Sequence, residues 1–126
     1  MASLDAIGIV TRDARESVRF YRLLGVQVGD PTEDHHETTL PSGVRLMWDS
    51  LSLMKQLDPD WVEPTGQRLA LAFASASPAE VDRTHRAIVD AGFRSKKGPW
   101  DAFWGQRYAQ VIDPDGNVVD LFAPLA

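Results

Sequence analysis

Residues 100–122, WDAFWGQRYAQVIDPDGNVVDLF, join a strong turn signal to two runs of alternating residues. Asp113-Pro114-Asp115-Gly116 contains the residue types that favour a tight turn. The runs on either side alternate with the period of a half-buried strand. Two of the four tryptophans also lie in this stretch. It therefore predicts two β-strands around a turn, with aromatic side chains along one of them.

Two helices are predicted before this stretch, one in each half of the chain. Asp13 with Glu16 forms a start similar to a capping box, and the apolar spacing that follows predicts a helix over residues 13–24, which Gly25 ends. The second start is Ser77-Pro78-Ala79-Glu80, with Ser as N-cap and Pro at the first helical position, and Gly92 ends that helix. Each helix has an apolar stripe that needs a sheet to cover.

The remaining segments predict short strands and one linker. Strands are expected at residues 4–10, 26–29, 35–40 and 44–49 in the first half, and at 69–76 and 93–96 in the second. Residues 51–66 have no clear period and are interpreted as a linker. The order of elements in the first half therefore recurs in the second, which indicates an internal repeat.

Composition excludes several classes of protein. The chain has 126 residues, a net charge of −5 and no cysteine. Disulfides, thiolate nucleophiles and cysteine-bound zinc are excluded, and a nucleic-acid-binding surface is disfavoured because it needs clustered Lys and Arg. No signal peptide and no apolar run of membrane-spanning length are found. We therefore expect a cytoplasmic protein with no nucleic-acid or membrane partner.

Strand alternation assigns a face to each side chain if the helices cover the larger apolar residues. That assignment places small residues, with Met47, Arg68 and Asp120, on the face away from the helices. Trp104, Gln106, Tyr108 and Gln110 alternate together and are assigned to the same face. This composition indicates a ligand cavity, with close sheet packing or a subunit interface as the alternative. The residues expected under the helices are Ile7, Ile9, Val44, Leu46, Trp48, Leu69, Leu71, Phe73, Val119 and Leu121.

These features resemble the vicinal-oxygen-chelate superfamily, which contains glyoxalase I, extradiol dioxygenases and bleomycin-resistance proteins. The resemblance rests on Asp13, Phe20-Tyr21 and Gly25 in the first half and on Asp113-Pro114-Asp115-Gly116-Asn117 in the second. Trp104-Gly105-Gln106-Arg107-Tyr108 is most similar to the mitomycin-binding resistance members. The resemblance implies an α+β fold, in which two βαβββ modules form a curved sheet around a cleft, with the helices on the outer face.

The resemblance also implies a domain organisation and an assembly. The whole chain, residues 1–126, would be one domain, with module one over 1–50, a linker over 51–66 and module two over 67–126. The protein would be a homodimer with clefts shared between subunits, and whether modules are swapped between the subunits is left open.

Metal-dependent members of the superfamily carry one metal ligand on each of four strands. Carried across by position, these ligands fall on Ala6, Met47, Arg68 and Asp120. Only Asp120 could bind a hard cation, and a single carboxylate does not hold a divalent ion stably. We therefore predict no metal and no cofactor, and we assign no catalytic residue.

The resemblance implies a ligand site built largely from aromatic residues. Trp104 would stack on a planar ligand, and His35 would cover its other face. Arg68 and Asp120 would supply polar anchors and could pair with each other, and Met47 would lie on the same face. Trp48 and His85 are assigned to the core. The walls of the site would be formed by Trp100, Phe103 and Tyr108.

The sequence thus predicts a metal-free binding protein that sequesters a planar aromatic or quinone-like compound, of the antibiotic-resistance type. The main alternative is a metal-dependent lyase or oxidoreductase similar to glyoxalases or dioxygenases. A third interpretation is a metal-free isomerase or lyase with Asp120 as the base. An enzyme is the less favoured class because the metal ligands that it needs are missing.

Overall fold

Seven strands and three helices make up the chain in a computed structural model, which describes residues 1–126. They fall into two units, residues 1–63 (unit one) and 64–126 (unit two). The elements of unit one are β1 (Ala6–Thr11), α1 (Ala14–Leu23), β2 (His35–Thr39), β3 (Arg45–Ser50) and α2 (Leu51–Leu57). Those of unit two are β4 (Leu71–Ala74), α3 (Pro78–Asp90), β5 (Arg94–Ala102), β6 (Gln106–Ile112) and β7 (Val118–Pro124).

Unit one is a three-stranded sheet of order β1-β3-β2, in which β1 is parallel and β2 antiparallel to β3. Helix α1 starts as predicted, because the Asp13 side chain accepts a hydrogen bond from the Glu16 amide. Trp48 is 1% exposed, and its indole Nε1 donates to Ser17 Oγ at 2.9 Å. The other large buried side chains of this core include Val18, Phe20, Tyr21 and Leu46.

Unit two is a complete βαβββ module of order β4-β7-β6-β5. β4 is parallel to β7, and the other pairs are antiparallel. Ser77 caps α3 by accepting from the Glu80 amide, with Pro78 in the first turn, as its sequence predicted. The predicted α+β class and modular fold are confirmed. The core between α3 and the sheet includes Val81 and Ile88 of the helix and Val111, Val119 and Leu121 of the strands.

The turn predicted from Asp113-Pro114-Asp115-Gly116 is confirmed and joins β6 to β7. Asp113 is 1% exposed. Its Oδ1 accepts from the amides of Asp115 and Asn117 at 2.9 and 2.8 Å, and its Oδ2 accepts from the Asn117 side chain at 2.8 Å. Gly116 has φ of 93°, a conformation that side chains disfavour. The turn fixes which residues of β6 lie opposite which residues of β7.

One predicted strand is absent, and the segment interpreted as a linker contains a helix. Residues 26–29 form no strand. Side chains of β2 contact two of their carbonyls: Thr38 Oγ1 donates to Gln27 O at 2.7 Å, and His36 Nε2 lies 2.8 Å from Gly29 O. The segment 51–66, interpreted as a linker, begins with helix α2. Its N-cap is Ser50, whose Oγ accepts from the Leu53 amide. A helix of seven residues is too short to show a clear period.

Strand lengths also differ from the expected ones. Leu69 was predicted to lie under a helix but is 86% exposed, because β4 begins only at Leu71. The strand predicted at 93–96 is longer and reaches Ala102, since two register shifts, one between Ser95 and Lys97 and one between Lys97 and Trp100, let the strand continue past Gly98-Pro99.

The Ser17–Trp48 hydrogen bond predicts a measurable loss of stability. Ser17→Ala leaves the buried Trp48 N–H without its acceptor, and we expect it to lower the free energy of unfolding by about 1–3 kcal/mol. Urea unfolding measures this loss. The same substitution in a Trp48→Phe background, where no N–H remains, should cost clearly less. Equal losses in the two backgrounds would contradict the assignment.

Candidate functional site

An aromatic face lies on the side of the unit-two sheet away from α3, formed by Trp100, Trp104, Tyr108 and Phe122. Tyr108 is central: its ring centroid lies 5.4 Å from that of Trp100, 5.3 Å from that of Trp104 and 6.2 Å from that of Phe122. Trp104 remains 50% exposed. Phe103, 97% exposed, contacts the edge of this face through Trp104 at 5.0 Å.

Strand register explains why these rings meet. Tyr108 of β6 lies opposite Trp100 of β5 on one side and opposite Phe122 of β7 on the other. Cross-strand neighbours on one face bring their side chains into contact. Trp104 lies in the turn between β5 and β6, where its indole Nε1 donates to Gln106 Oε1 at 2.8 Å. The common alternation predicted for Trp104, Gln106, Tyr108 and Gln110 agrees with this arrangement.

A polar group borders the aromatic face. Tyr108 Oη donates to Asp120 Oδ2 at 2.7 Å, and Gln110 Nε2 donates to Asp120 Oδ1 at 3.0 Å. Burial, and then the hydrogen bond to Asp120, raises the pKa of Tyr108 to about 12. The phenol is therefore a neutral donor at physiological pH, and it holds the carboxylate of Asp120 in place.

A shallow depression of about 330 Å³ adjoins this polar group. Arg68 and Asp120 both line it, but no ion pair joins them; the two oxygens of Asp120 accept hydrogen bonds from Tyr108 and Gln110 instead. The pairing suggested by the sequence was therefore wrong. The other lining residues are Gln67, Leu69, Ala70, Lys96, Gln110 and Val118.

His35 and Met47, the other two predicted site residues, belong to unit one. His35 bridges two carboxylates: Nδ1 lies 2.5 Å from Asp49 and Nε2 lies 2.9 Å from Glu37. Glu37 also accepts from Arg45 at 2.9 Å. Met47 lies beside these residues on β3, opposite Gly8 of β1. The structure thus places His35 in a charged network, in which each of its ring nitrogens contacts a carboxylate.

Sequence reasoning missed Lys97 and Phe122 as members of the site. The Lys97 ammonium lies 3.8 Å from the centroid of the Trp100 ring, which is a cation–π distance. Phe122 could have been found by pairing residues outward from the Asp113 turn, which sets it opposite Tyr108. Lys97 could not, because it lies between the two register shifts of β5. His85, assigned to the core, is only partly buried and lies 2.7 Å from Ser95 Oγ.

The residues do not fit the divalent metal of the metal-dependent superfamily members. Of the four ligand positions, Ala6, Met47 and Arg68 offer no hard anionic donor, and the Asp120 carboxylate already accepts two hydrogen bonds. No group of three or more His, Asp or Glu side chains is arranged to hold a metal ion. In unit one the carboxylates of Glu37 and Asp49 contact opposite nitrogens of His35, so their oxygens do not converge on one point with it.

Comparison with known families agrees with this fold. Residues 3–121 match the sequence profile of the Glyoxalase/Bleomycin resistance protein/Dioxygenase superfamily. The chain belongs to this superfamily. The superfamily's name includes both enzymes and a resistance protein. Membership alone therefore does not determine the function of this chain, which must be argued from its own residues. No curated protein sequence matches the chain at a significant level.

Solved structures of the superfamily share the fold at low sequence identity. A glyoxalase/bleomycin resistance protein/dioxygenase from Nocardioides is 25% identical, with a TM-score of 0.76 over 99% of this chain and 85% of that one. An enzyme of the same family from Burkholderia phytofirmans PsJN is 20% identical, with a TM-score of 0.86 over 98% and 100%. A glyoxalase-related enzyme from Fulvimarina pelagi is 19% identical, with a TM-score of 0.85 over 98% and 88%.

None of the three helices has the length and apolar character to cross a membrane.

The His35 network predicts a pH dependence of stability. The hydrogen bonds to Glu37 and then to Asp49 raise the pKa of His35 above its usual 6.5, so the folded chain holds this proton more tightly than the unfolded chain. The stability contributed is fully present below pH 6.5 and is lost as the pH rises through the raised pKa. We expect His35→Gln to lower the urea midpoint most below pH 6.5 and least well above it.

His85→Gln is the matched control, because burial lowers the pKa of His85. The proton on His85 is disfavoured by folding, so the stability that this residue contributes falls as the pH falls. The penalty of His85→Gln should therefore shrink toward low pH, opposite to that of His35→Gln. Parallel pH profiles for the two variants would contradict the assignment.

Proposed function

We propose that this protein binds a planar aromatic or quinone-like compound on the aromatic face of unit two and sequesters it without turnover. The observation that carries the proposal is the cluster of Trp100, Trp104, Tyr108 and Phe122, in which Trp104 stays half exposed. Large aromatic side chains normally bury most of their area in a single chain, and an exposed group of them marks a binding surface.

The ring geometry supports a flat ligand. Trp104 contacts Trp100, Phe103 and Tyr108, and all three contacts are edge-type, with interplanar angles of 89°, 86° and 78°. No neighbour therefore lies parallel to the indole of Trp104. A planar ligand can take that position, and a stacked aromatic pair contributes about 0.5–1.5 kcal/mol beyond the area that it buries.

The polar residues support capture rather than chemistry. Both oxygens of Asp120 accept hydrogen bonds, and the phenol of Tyr108 is held neutral. These hydrogen bonds fix the side chains beside the rings before a ligand arrives, so that binding costs less side-chain conformational entropy. A base for proton abstraction would need its carboxylate aimed at a substrate carbon, whereas this one is engaged by Tyr108 and Gln110.

The superfamily supports the proposal in general terms, since its name includes a bleomycin resistance protein. We extend the proposal to an antibiotic as the ligand, of the mitomycin type suggested by residues 104–108, and to a homodimer. The ligand contacts predicted for His35 and Met47, and the cytoplasmic location, stay predictions. Light scattering on the purified chain tests the dimer, and a monomer at all concentrations would contradict it.

The function is tested by tryptophan fluorescence. We expect a planar quinone antibiotic such as mitomycin C to quench the wild-type chain saturably, at one compound per chain. Trp104→Ala should weaken binding by about tenfold, because it removes a half-exposed stacking partner. Trp61→Phe, which removes an indole from unit one, is the control and should leave the affinity unchanged.

Two results would contradict the proposal. Equal affinities of the wild type and Trp104→Ala for the compound would show that it does not bind on the aromatic face. Conversion of the compound, seen by chromatography as product exceeding one equivalent per chain, would replace sequestration by catalysis.

A further inference from the structure

Of the seven cationic side chains of unit two, only Arg107 has a carboxylate within ion-pair distance; it binds Asp82 at 3.0 Å and Asp101 at 3.0 Å. The six without such a partner are Arg68, Arg83, Arg86, Arg94, Lys96 and Lys97. The chain as a whole carries a net charge of −5, so partners for cations are abundant. A group of unpaired cations on such a chain is a local surplus of positive charge.

Two of these cations line one cavity. Arg68 and Lys96 both border the depression of about 330 Å³. The backbone next to Arg68 is fixed, because the Gln67 side chain accepts from the Val118 amide at 2.6 Å and donates to the Val118 carbonyl at 3.0 Å. The only carboxylate of the lining is that of Asp120, which is already hydrogen-bonded by Tyr108 and Gln110. The depression is therefore lined by two cations without an ion-pair partner and by one carboxylate that is already hydrogen-bonded.

The depression begins where the aromatic face ends. Gln110, which lines the depression, and Tyr108, the centre of the aromatic face, lie two residues apart on the same face of β6, a separation of about 7 Å. Across the sheet, Asp120 lies opposite Gln110 and Phe122 lies opposite Tyr108. A single molecule of two or three fused rings spans this distance.

We propose that the depression binds an anionic substituent of the ligand, so that the preferred ligands are planar aromatic carboxylates, sulfonates or phosphates. Arg68 and Lys96 would hold the anion, while the fused rings stack on the aromatic face. This assignment rests on the proposed function and narrows its ligand class. A cationic substituent at the same place would meet two like charges and is disfavoured.

A matched pair of probes tests this assignment. Anthraquinone-2-sulfonate and the neutral 2-(hydroxymethyl)anthraquinone share their rings and differ in one charged group. On the full chain, calorimetry should give about tenfold tighter binding of the sulfonate, because its oxygens gain charge-assisted hydrogen bonds. The advantage should shrink as salt is added.

Single substitutions identify the side chains that cause the tighter binding of the sulfonate. Arg68→Gln and Lys96→Gln should each weaken the sulfonate several-fold and leave the neutral probe unchanged. Arg86→Gln removes the same charge from α3, outside the lining, and should change neither. Trp104→Ala should weaken both probes.

The possible failures are distinct. Equal binding of the two probes, or equal effects of Arg68→Gln and Arg86→Gln on the sulfonate, would overturn the anion site and leave the stacking proposal intact. Absence of binding by both probes would overturn the proposed function, and the anion site with it.

Discussion

The site depends on the register between β6 and β7, which the buried carboxylate of Asp113 fixes. That side chain accepts three hydrogen bonds from Asp115 and Asn117 and thereby closes the turn at one length. Side chains alternate between the faces of a strand, so a slip of one residue would exchange the two faces. Tyr108 would then face α3, and buried Val111 would face outward. The turn therefore decides that aromatic and polar residues share the face away from α3.

The same constraint explains which parts of the site the sequence could predict. Pairing outward from Asp113 and Asn117 sets Gln110 opposite Asp120 and Tyr108 opposite Phe122. The Pro41-Ser42-Gly43 turn likewise sets His35 opposite Asp49. These pairings can be predicted from the position of the turn and the two-residue alternation of side chains along a strand. Both are recognisable in short stretches of sequence.

Other features of the site depend on interactions that cannot be predicted from local sequence patterns. The register shifts in β5 bring Lys97 over Trp100, and nothing in the sequence around Gly98-Pro99 specifies where they fall. Residues 26–29 form no strand, and two of their carbonyls are contacted by side chains of β2, which are distant in sequence. Arg68 and Asp120 do not pair, and the hydrogen bonds that Asp120 accepts from Tyr108 and Gln110 could not be predicted from a local pattern.

The central claim is that the aromatic face is the place where a planar ligand binds, and NMR of the four indole N–H groups tests it most directly. With a planar quinone added to the labelled chain, we predict large shifts of the Trp100 and Trp104 indole signals. Trp48, buried and hydrogen-bonded to Ser17, should not move. Shifts confined to Trp48 or Trp61, or no shift at saturating ligand, would contradict the account.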